Sequence, residues 1–540
     1  MGKDCKHIVH LINPPGWILN PGGAYIALPL LKSALHNQGI EARVIDTNLD
    51  VATFYDLKIN QSDLENIEND FSLAALNKPY FREQNKMQEL AAAFNASWDI
   101  QLGYIPVYYD FGSSESVKEF SNHQSVYTSY FKSELIPVIQ RNNPLLIGIS
   151  VTVPQQLLPT FEFCRLLRIE GYEGKIILGG NMITRIGSNF NLPWVFELID
   201  GLILFQGENS IPDYLKCILN NLPVSNVPNL VWENRGEIIS NRIEYLKPNE
   251  FSRPDFSDLR VGEYWGNNYL TLLGSRGCYY GKCSFCAIPY AYGNNGFLGH
   301  DKSSNVFEDI VFNTEKFGIN NFKFTDEALH PTILKILSEE IISHNVECNF
   351  EGYARFDSFW KNEQFLKLVS KAGLKKVYLG LELIQSSKRD LLNKSDSDNA
   401  LEMLQKFNDA GIKVHLFTLF GYPGTGVDDA INTIQFALKH QKLIDTLDVF
   451  PFYYAKHTKV PFVKPIIYKN KDWAIEYDYK TEIEGALKKE EVGFLCEKLE
   501  DVIWDERPEW LHPTYRMISP FGSNAKNNQT QQRVIEAIYA

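Results

Sequence analysis

At 540 residues with 44% apolar side chains, the chain is long enough for roughly two to four well-packed domains. A net charge of −13 and an acidic pI near 5.5 leave too little clustered Lys and Arg for a broad phosphate-binding face, so nucleic acid is not an expected partner. The N-terminus, MGKDCKHIVHLINPPGW, has neither a signal peptide's apolar core nor a run of about 20 apolar residues able to cross a bilayer; a cytoplasmic protein with no membrane partner is expected.

In chain order, HIVHLI (His7 to Ile12) reads as a buried strand, NPPGW as the loop after it, Ala24 to His36 as a helix and ARVID (Ala42 to Asp46) as a second strand. Residues 51–140 break this pattern; they are polar, aromatic and Asn-rich with helical patches such as Gln88 to Phe94, and read as a helical insertion. Alternation resumes with LLIGISV (Leu145 to Val151), a helix through Arg168, KIILGG (Lys175 to Gly180), a helix near Trp194, GLILF (Gly201 to Phe205) and a helix opening at GENSIPDYL. Strands alternating with helices predict an α/β, doubly wound (Rossmann-like) domain over 1–225, with ligands at the carboxyl ends of its strands. A Pro-rich, polar stretch over 226–262 reads as a linker. From 263 to 460, YLTLLGS, NFKFTDE, CNFEGYA, KKVYLGLE, KVHLFTLFGYPG and LDVFPFYY supply six strand candidates separated by helices. They fit a partial βα barrel or a second doubly wound sheet, which periodicity alone does not separate. Residues 461–540 carry three of the nine tryptophans, Trp473, Trp504 and Trp510, and read as a small C-terminal capping region.

The loops NPPGW, VTVPQQ, GGN and QGEN all follow strands of the first domain and converge on one edge of its sheet. No GxGxxG follows the first strand and no P-loop signature occurs, which disfavours dinucleotide or P-loop nucleotide binding. In the second domain, GSRGCYYGKCSFCAIPY places Cys278, Cys283 and Cys286 in a C-x4-C-x2-C loop beside Gly274, Gly277 and Gly281, which permit sharp bends. A structural zinc site wants four ligands and usually a second Cys or His pair; His300 is the nearest following His and no such pair appears. Three thiolates also suit an iron–sulfur cluster that leaves one iron open for chemistry. An incomplete zinc site on a non-catalytic scaffold is the alternative. The scattered Cys5, Cys164, Cys217, Cys348 and Cys496 read as small buried side chains.

This loop, with Phe285 just before the last cysteine, resembles the cluster-binding loop of radical S-adenosylmethionine (SAM) enzymes. The order, lengths and loops of the first domain resemble the cobalamin-binding domain of the subfamily that carries one ahead of the radical domain. Over about 263–460 the resemblance implies a partial (β/α)6 TIM barrel, a 4Fe-4S cluster on Cys278, Cys283 and Cys286, and SAM chelating the unique iron. The family's usual spacing is C-x3-C-x2-C; Lys282 is the extra residue here, expected to bulge outward. The implied SAM contacts are Phe285 in the loop, Asp326 and Glu327 (FTDEA) at the amino group, Glu382 and Ser386 (LGLELIQSS) at the ribose and carboxylate, and Gly421 (HLFTLFGYPGTG) at the adenine. Each acidic residue of FTDEA also fits the N-terminus of a helix. Arg355 (EGYARFD) suits a carboxylate, the cluster region or an ordinary salt bridge.

In the first domain the resemblance implies a cobalamin site formed by Pro15, Gly16 and Trp17, by Ser150, Thr152 and Gln156, by Gly179, Gly180 and Asn181, and by Gly207 and Glu208. The DxHxxG motif is absent, the region after the second strand reading DTNLDVA, so no histidine ligand is expected on cobalt's lower face. The implied chemistry is reductive cleavage of SAM to a 5′-deoxyadenosyl radical, hydrogen abstraction from an unactivated carbon, and methylation through methylcobalamin. The partners implied are a small-molecule or peptide substrate and an electron donor such as flavodoxin or ferredoxin. Relatives that use cobalamin for ring contraction, cyclisation or another rearrangement form the alternative. No dedicated acid or base stands out in the sequence.

Overall fold

The computed structural model describes residues 8–16, 23–54, 98–99, 105–106, 109–247, 250–264, 269–293, 297–299, 304–394, 399–483, 486–507 and 510. Cys5, Trp17, Gln88 to Phe94, His300 and the tail beyond 510 lie outside them, as does the side chain of Trp504.

Strands that read as unbroken apolar runs are those covered by helices on both faces. In the N-terminal sheet these are β1 (Ile8–Asn13), β3 (Leu146–Ser150), β4 (Lys175–Gly179) and β5 (Gly201–Ile203), whereas β2 (Glu41–Asp46, EARVID) is the edge strand, with Glu41 and Arg43 exposed. They pair in parallel in the order β2-β1-β3-β4-β5. Chain order reverses between β1 and β3, so the loops after these two strands part there and leave a crevice at their carboxyl ends. Helix Ala27–His36 and helix Ser210–Leu219 pack on one face through Leu28, Leu35, Ile211 and Leu215. Helix Leu157–Ile169 and the helices within 114–142, inside the predicted insertion, cover the other.

The stretch expected to be a linker is in part sheet. β6 (Leu230–Asn234) and β7 (Glu237–Ser240) form an antiparallel hairpin that extends the sheet from β5. Arg235 and Gly236 turn it with φ of 54° and 87°, the left-handed pair that a two-residue hairpin demands.

The second sheet holds β8 (Tyr269–Leu272), β9 (Asn321–Phe324), β10 (Asn349–Ala354), β11 (Leu374–Glu382), β12 (Lys413–Phe420) and β13 (Thr446–Pro451). All pair in parallel and in sequential order. A doubly wound sheet must reverse its order; this one does not, which makes it a six-stranded partial barrel. Alternation sends Leu270, Phe322, Phe350, Leu379 and Leu416 outward into the helix-covered core. The intervening residues meet across the concave face: Tyr378 donates to Glu351 at 2.9 Å, Lys323 lies 3.4 Å from Glu351, and His415 Nε2 lies 3.3 Å from Asp448.

After β13, a small antiparallel sheet of Tyr454–Ala455, Val463–Ile466 and Glu476–Thr481 precedes helix Lys489–Glu506. Among the described residues no helix is long and apolar enough to cross a membrane.

Candidate functional site

The carboxyl ends of the two sheets enclose a cavity of about 770 Å³. On the sheet-domain side Ser150, Thr152, Gly179, Gly180, Asn181, Gly207 and Glu208 all line it. Gly180 has φ +98°, and a Cβ there would lie 2.4 Å from the Val151 carbonyl oxygen, so only glycine lets the β4 loop fold against the β3 loop. The cavity continues between the sheet and its helices as an apolar slot walled by Leu11, Ile177, Ile203, Leu28, Leu31 and Ile211. Gly148 widens the slot; a Cβ at this position would crowd Leu11 at 3.2 Å.

Other expected contacts serve the wall from behind. Gln156 is fully buried and does not line the cavity. Its Nε2 donates to Asn13 Oδ1 (3.1 Å) and to the Pro14 carbonyl (2.8 Å), while its Oε1 accepts from the Thr152 amide (2.7 Å). Its amide is spent tying the β1 loop to the β3 loop. Pro15 and Gly16 are buried in the same junction, outside the cavity wall, with Gly16 at φ +106° against the Gln155 carbonyl. Glu208 is paired with Arg276, which belongs to the barrel.

The barrel side contributes Tyr269, Thr271, Arg276, Tyr292, Thr325 and Glu327. Glu327 accepts from the Tyr292 hydroxyl at 3.3 Å, and burial holds its carboxyl up at about 7. Asp326 points the other way: it accepts from the Gly274 amide (2.9 Å) and the Ser275 hydroxyl (2.6 Å), and burial raises it to about 6. The expectation that both carboxylates face a ligand is corrected here, because alternation past the end of β9 turns only Glu327 inward.

Just beyond Ser275 comes the cysteine loop. Cys278, Cys283 and Cys286 are partly buried and free, and each thiol lies within electrostatic reach of the others. Burial pushes the Cys286 thiol up to about 12; it raises Cys283 too, against the opposing pull of Lys394 and Arg355. Among the described residues no three His, Cys, Asp or Glu side chains converge closely enough for a single metal ion. The loop is clamped from outside: the Tyr280 hydroxyl donates to Asn393 O (2.6 Å), the Ser284 amide to Leu392 O (3.0 Å), and Ser284 Oγ meets Tyr422 OH at 2.7 Å. Lys282 is exposed, and its carbonyl accepts from Asn393 Nδ2 at 2.8 Å.

Of the remaining expected contacts, Arg355 comes to the loop: its Nη1 lies 3.9 Å from Cys283 Sγ and its guanidinium covers the Tyr280 ring at 3.7 Å. Glu382, at φ +60° on the end of β11, is held by Lys394 Nζ at 2.5 Å. Phe285 packs on the barrel core. Ser386 is exposed at the start of helix Ser386–Leu391. Gly421 faces the C-terminal helix, where a Cβ would strike Val492 at 2.2 Å, so packing requires this glycine. Tyr25, Asn48, Arg276 and Tyr292 line the cavity without having been singled out from sequence, and Asn13 and Gln206 line it as the first residues of the NPPGW and QGEN loops expected to converge there.

Residues 272–437 match the Radical SAM superfamily. This segment is a radical SAM domain. The radical SAM domain therefore opens on the last residue of β8, contains the whole cysteine loop, and runs into the helix after β12, Val427–Lys439. The full architecture is similar to TsrM from Kitasatospora setae, a radical S-adenosylmethionine methyltransferase solved with cobalamin and a 4Fe-4S cluster bound (TM-score 0.60, 14% identity, 99% of this chain and 100% of that one). It is also similar to the cobalamin-dependent S-adenosylmethionine radical enzyme OxsB, solved with aqua-cobalamin and S-adenosylmethionine (TM-score 0.63, 16% identity, 92% of this chain and 66% of that one). At these identities the likeness establishes the fold, a sheet domain ahead of a radical SAM barrel as in cobalamin-dependent radical SAM enzymes. Two curated relatives are each 24% identical. One is a 4′-phospho-dehydrooxetanocin synthase from Priestia megaterium, matched over 59% of this chain and 46% of its own length. The other is an anaerobic magnesium-protoporphyrin IX monomethyl ester cyclase from Synechocystis sp., matched over 34% of this chain and 37% of its own length. The chain thus spans less than half the length of either.

Proposed function

We propose that the protein is a cobalamin-dependent radical SAM enzyme of the cytoplasm that methylates an unactivated carbon of a small-molecule or peptide substrate, drawing electrons from a flavodoxin- or ferredoxin-like donor. The observation that carries this reading is the single cavity joining the switch-point end of the sheet domain to the barrel end that bears the cysteine loop. When bound, the cluster with SAM supplies a hydrogen-abstracting radical and cobalamin supplies a transferable methyl group.

The donor set fits these groups. Cys278, Cys283 and Cys286 would hold the cluster, with Arg355 beside Cys283 to offset thiolate charge. Three thiols leave one position open, as the chemistry requires. Glu327 sits where it can accept a cationic amino group and hold a SAM molecule at the cavity edge. On the opposite wall the glycines at 148, 179, 180 and 207 leave room for a flat macrocycle and a tail running into the apolar slot. The two walls face each other across one cavity, so groups bound on each would be held close together.

A second reading, radical chemistry without methyl transfer, is favoured by the names of the two curated relatives, a synthase and a cyclase. The test is anaerobic incubation of the reconstituted protein with SAM deuterated in its methyl group, methylcobalamin, reductant and candidate substrates, followed by product mass. A deuterated methyl in the product supports methylation. Formation of 5′-deoxyadenosine with no methyl gained moves the assignment to the second reading. Zinc without iron or sulfide after reconstitution would sink both.

A further inference from the structure

Among the described residues, two that line the cavity carry a buried polar atom with no hydrogen-bond partner, and both atoms belong to side-chain amides. Asn48 stands two positions past the end of β2, 5% exposed, with Oδ1 unpaired. Gln206 stands three positions past the end of β5, 6% exposed, with Nε2 unpaired. The Gln206 amide is oriented by the chain itself, since the Leu246 amide donates to its Oε1 at 2.5 Å and leaves Nε2 as the free donor. Each orphan forfeits a hydrogen bond that water would supply in the unfolded chain. A pair of them on one wall marks places that a ligand completes.

Their chemistry limits that ligand. A carboxylate or phosphate would satisfy the Gln206 donor but set oxygen against the Asn48 oxygen; an alkyl surface would satisfy neither. A primary carboxamide offers both an N–H and a carbonyl, and so answers either residue. β2 and β5 are four strand spacings apart in the sheet, roughly 19 Å, so one ligand reaching both must be broad and bear amides at its rim. We infer that Asn48 and Gln206 are cofactor-binding residues that each hydrogen-bond a peripheral carboxamide of the corrin ring, Asn48 accepting and Gln206 donating. This rests on the cobalamin reading above.

The test measures equilibrium binding of aquacobalamin, and of its monocarboxylic acids in which one peripheral amide is hydrolysed, to the full chain under anaerobic conditions. In the wild type, at least one monocarboxylic acid is expected to bind about tenfold more weakly than aquacobalamin, because an ionised oxygen replaces the N–H facing Asn48. In Asn48→Leu that discrimination disappears and aquacobalamin itself binds about tenfold more weakly. Gln206→Glu keeps the acceptor for Leu246, replaces the free donor by oxygen, and weakens aquacobalamin by a similar factor. Melting of the unliganded variants checks that they are folded, and the wild-type comparison among corrinoids needs no variant at all. If the wild type binds every monocarboxylic acid within about twofold of aquacobalamin, the inference is overturned and the cobalamin reading stands. If the wild type binds no corrinoid, both fall.

Discussion

Alternation past the end of β9 gives two adjacent carboxylates different work. Asp326 secures the backbone entering the cysteine loop, whereas Glu327 faces the cavity. Asp326→Ala is therefore expected to lower iron and sulfide content after reconstitution, and Glu327→Ala to leave the cluster in place while weakening SAM binding. Iron analysis and SAM titration on both variants check this, and equal iron loss in the two would refute it. The FTDEA segment was conspicuous in the sequence, but which carboxylate turns inward depends on where the strand ends. Glu327 also makes a pH prediction. Burial raises its pKa from 4.5 to about 7 in the folded protein, so the fold binds a proton that the unfolded chain releases. This contribution is complete below pH 4.5 and is lost as pH rises through 7, with a slope of at most about 1.4 kcal/mol per pH unit. Unliganded Glu327→Gln should accordingly lose less stability than the wild type between pH 5 and pH 7 in urea titrations, roughly in proportion to that slope.

At the scale of elements, the helix Lys489–Glu506 depends on Gly421, which lies on the loop leaving β12 at φ +77° with Val492 against it. Gly421→Ala adds a left-handed non-glycine residue and a steric clash, together costing roughly 2–4 kcal/mol. Val492→Ala in the same background should return part of that loss, measured as a double-mutant cycle by urea unfolding; full additivity would show that the two do not touch. The family resemblance assigns Gly421 to the adenine, and local pattern does not reveal its packing role because the helix against it lies some seventy residues on. The legible elements were those governed by local pattern. LLIGISV and KIILGG are apolar but for Ser150 and Lys175, and they form central strands. The hairpin Leu230–Ser240 reads as a linker because its strands are short and its apolar residues sit among polar ones, although Arg235-Gly236 is the turn that joins them. Barrel and doubly wound sheet were inseparable for a deeper reason: strand order is a property of long-range pairing and leaves no trace in periodicity.

Across the whole molecule, the cavity exists only while its two walls stay in register, and of the several ties between them among the described residues three mark separate places along the boundary. Lys32, on the first sheet-domain helix, lies 3.1 Å from Asp255 and 2.7 Å from Asp258 in the segment leading to the barrel. Trp473, from the region beyond the barrel, is fully buried in the N-terminal core, donates to the Asn189 carbonyl at 2.8 Å and stacks on Trp194. The third tie crosses the cavity wall itself: Glu208 of the sheet domain pairs with Arg276 of the barrel, their side chains 6% and 11% exposed. Arg276 lies two residues before Cys278, so this pair links the proposed cobalamin wall to the cysteine loop. A buried pair adds little net stability over an apolar replacement, but removing one member strands the other's charge at about 3–5 kcal/mol. Glu208→Leu and Arg276→Met are each expected to destabilise the protein on that scale, and the double variant to recover most of the loss, because no charge is left unpaired. Calorimetry adds a sign specific to the interface. In Glu208→Leu, sheet domain and barrel should melt as two resolved transitions, whereas the wild type and the double variant should each give one. Single variants that melt like the wild type would mean that the walls are held by the other ties, with the ion pair serving only to fill the space between them.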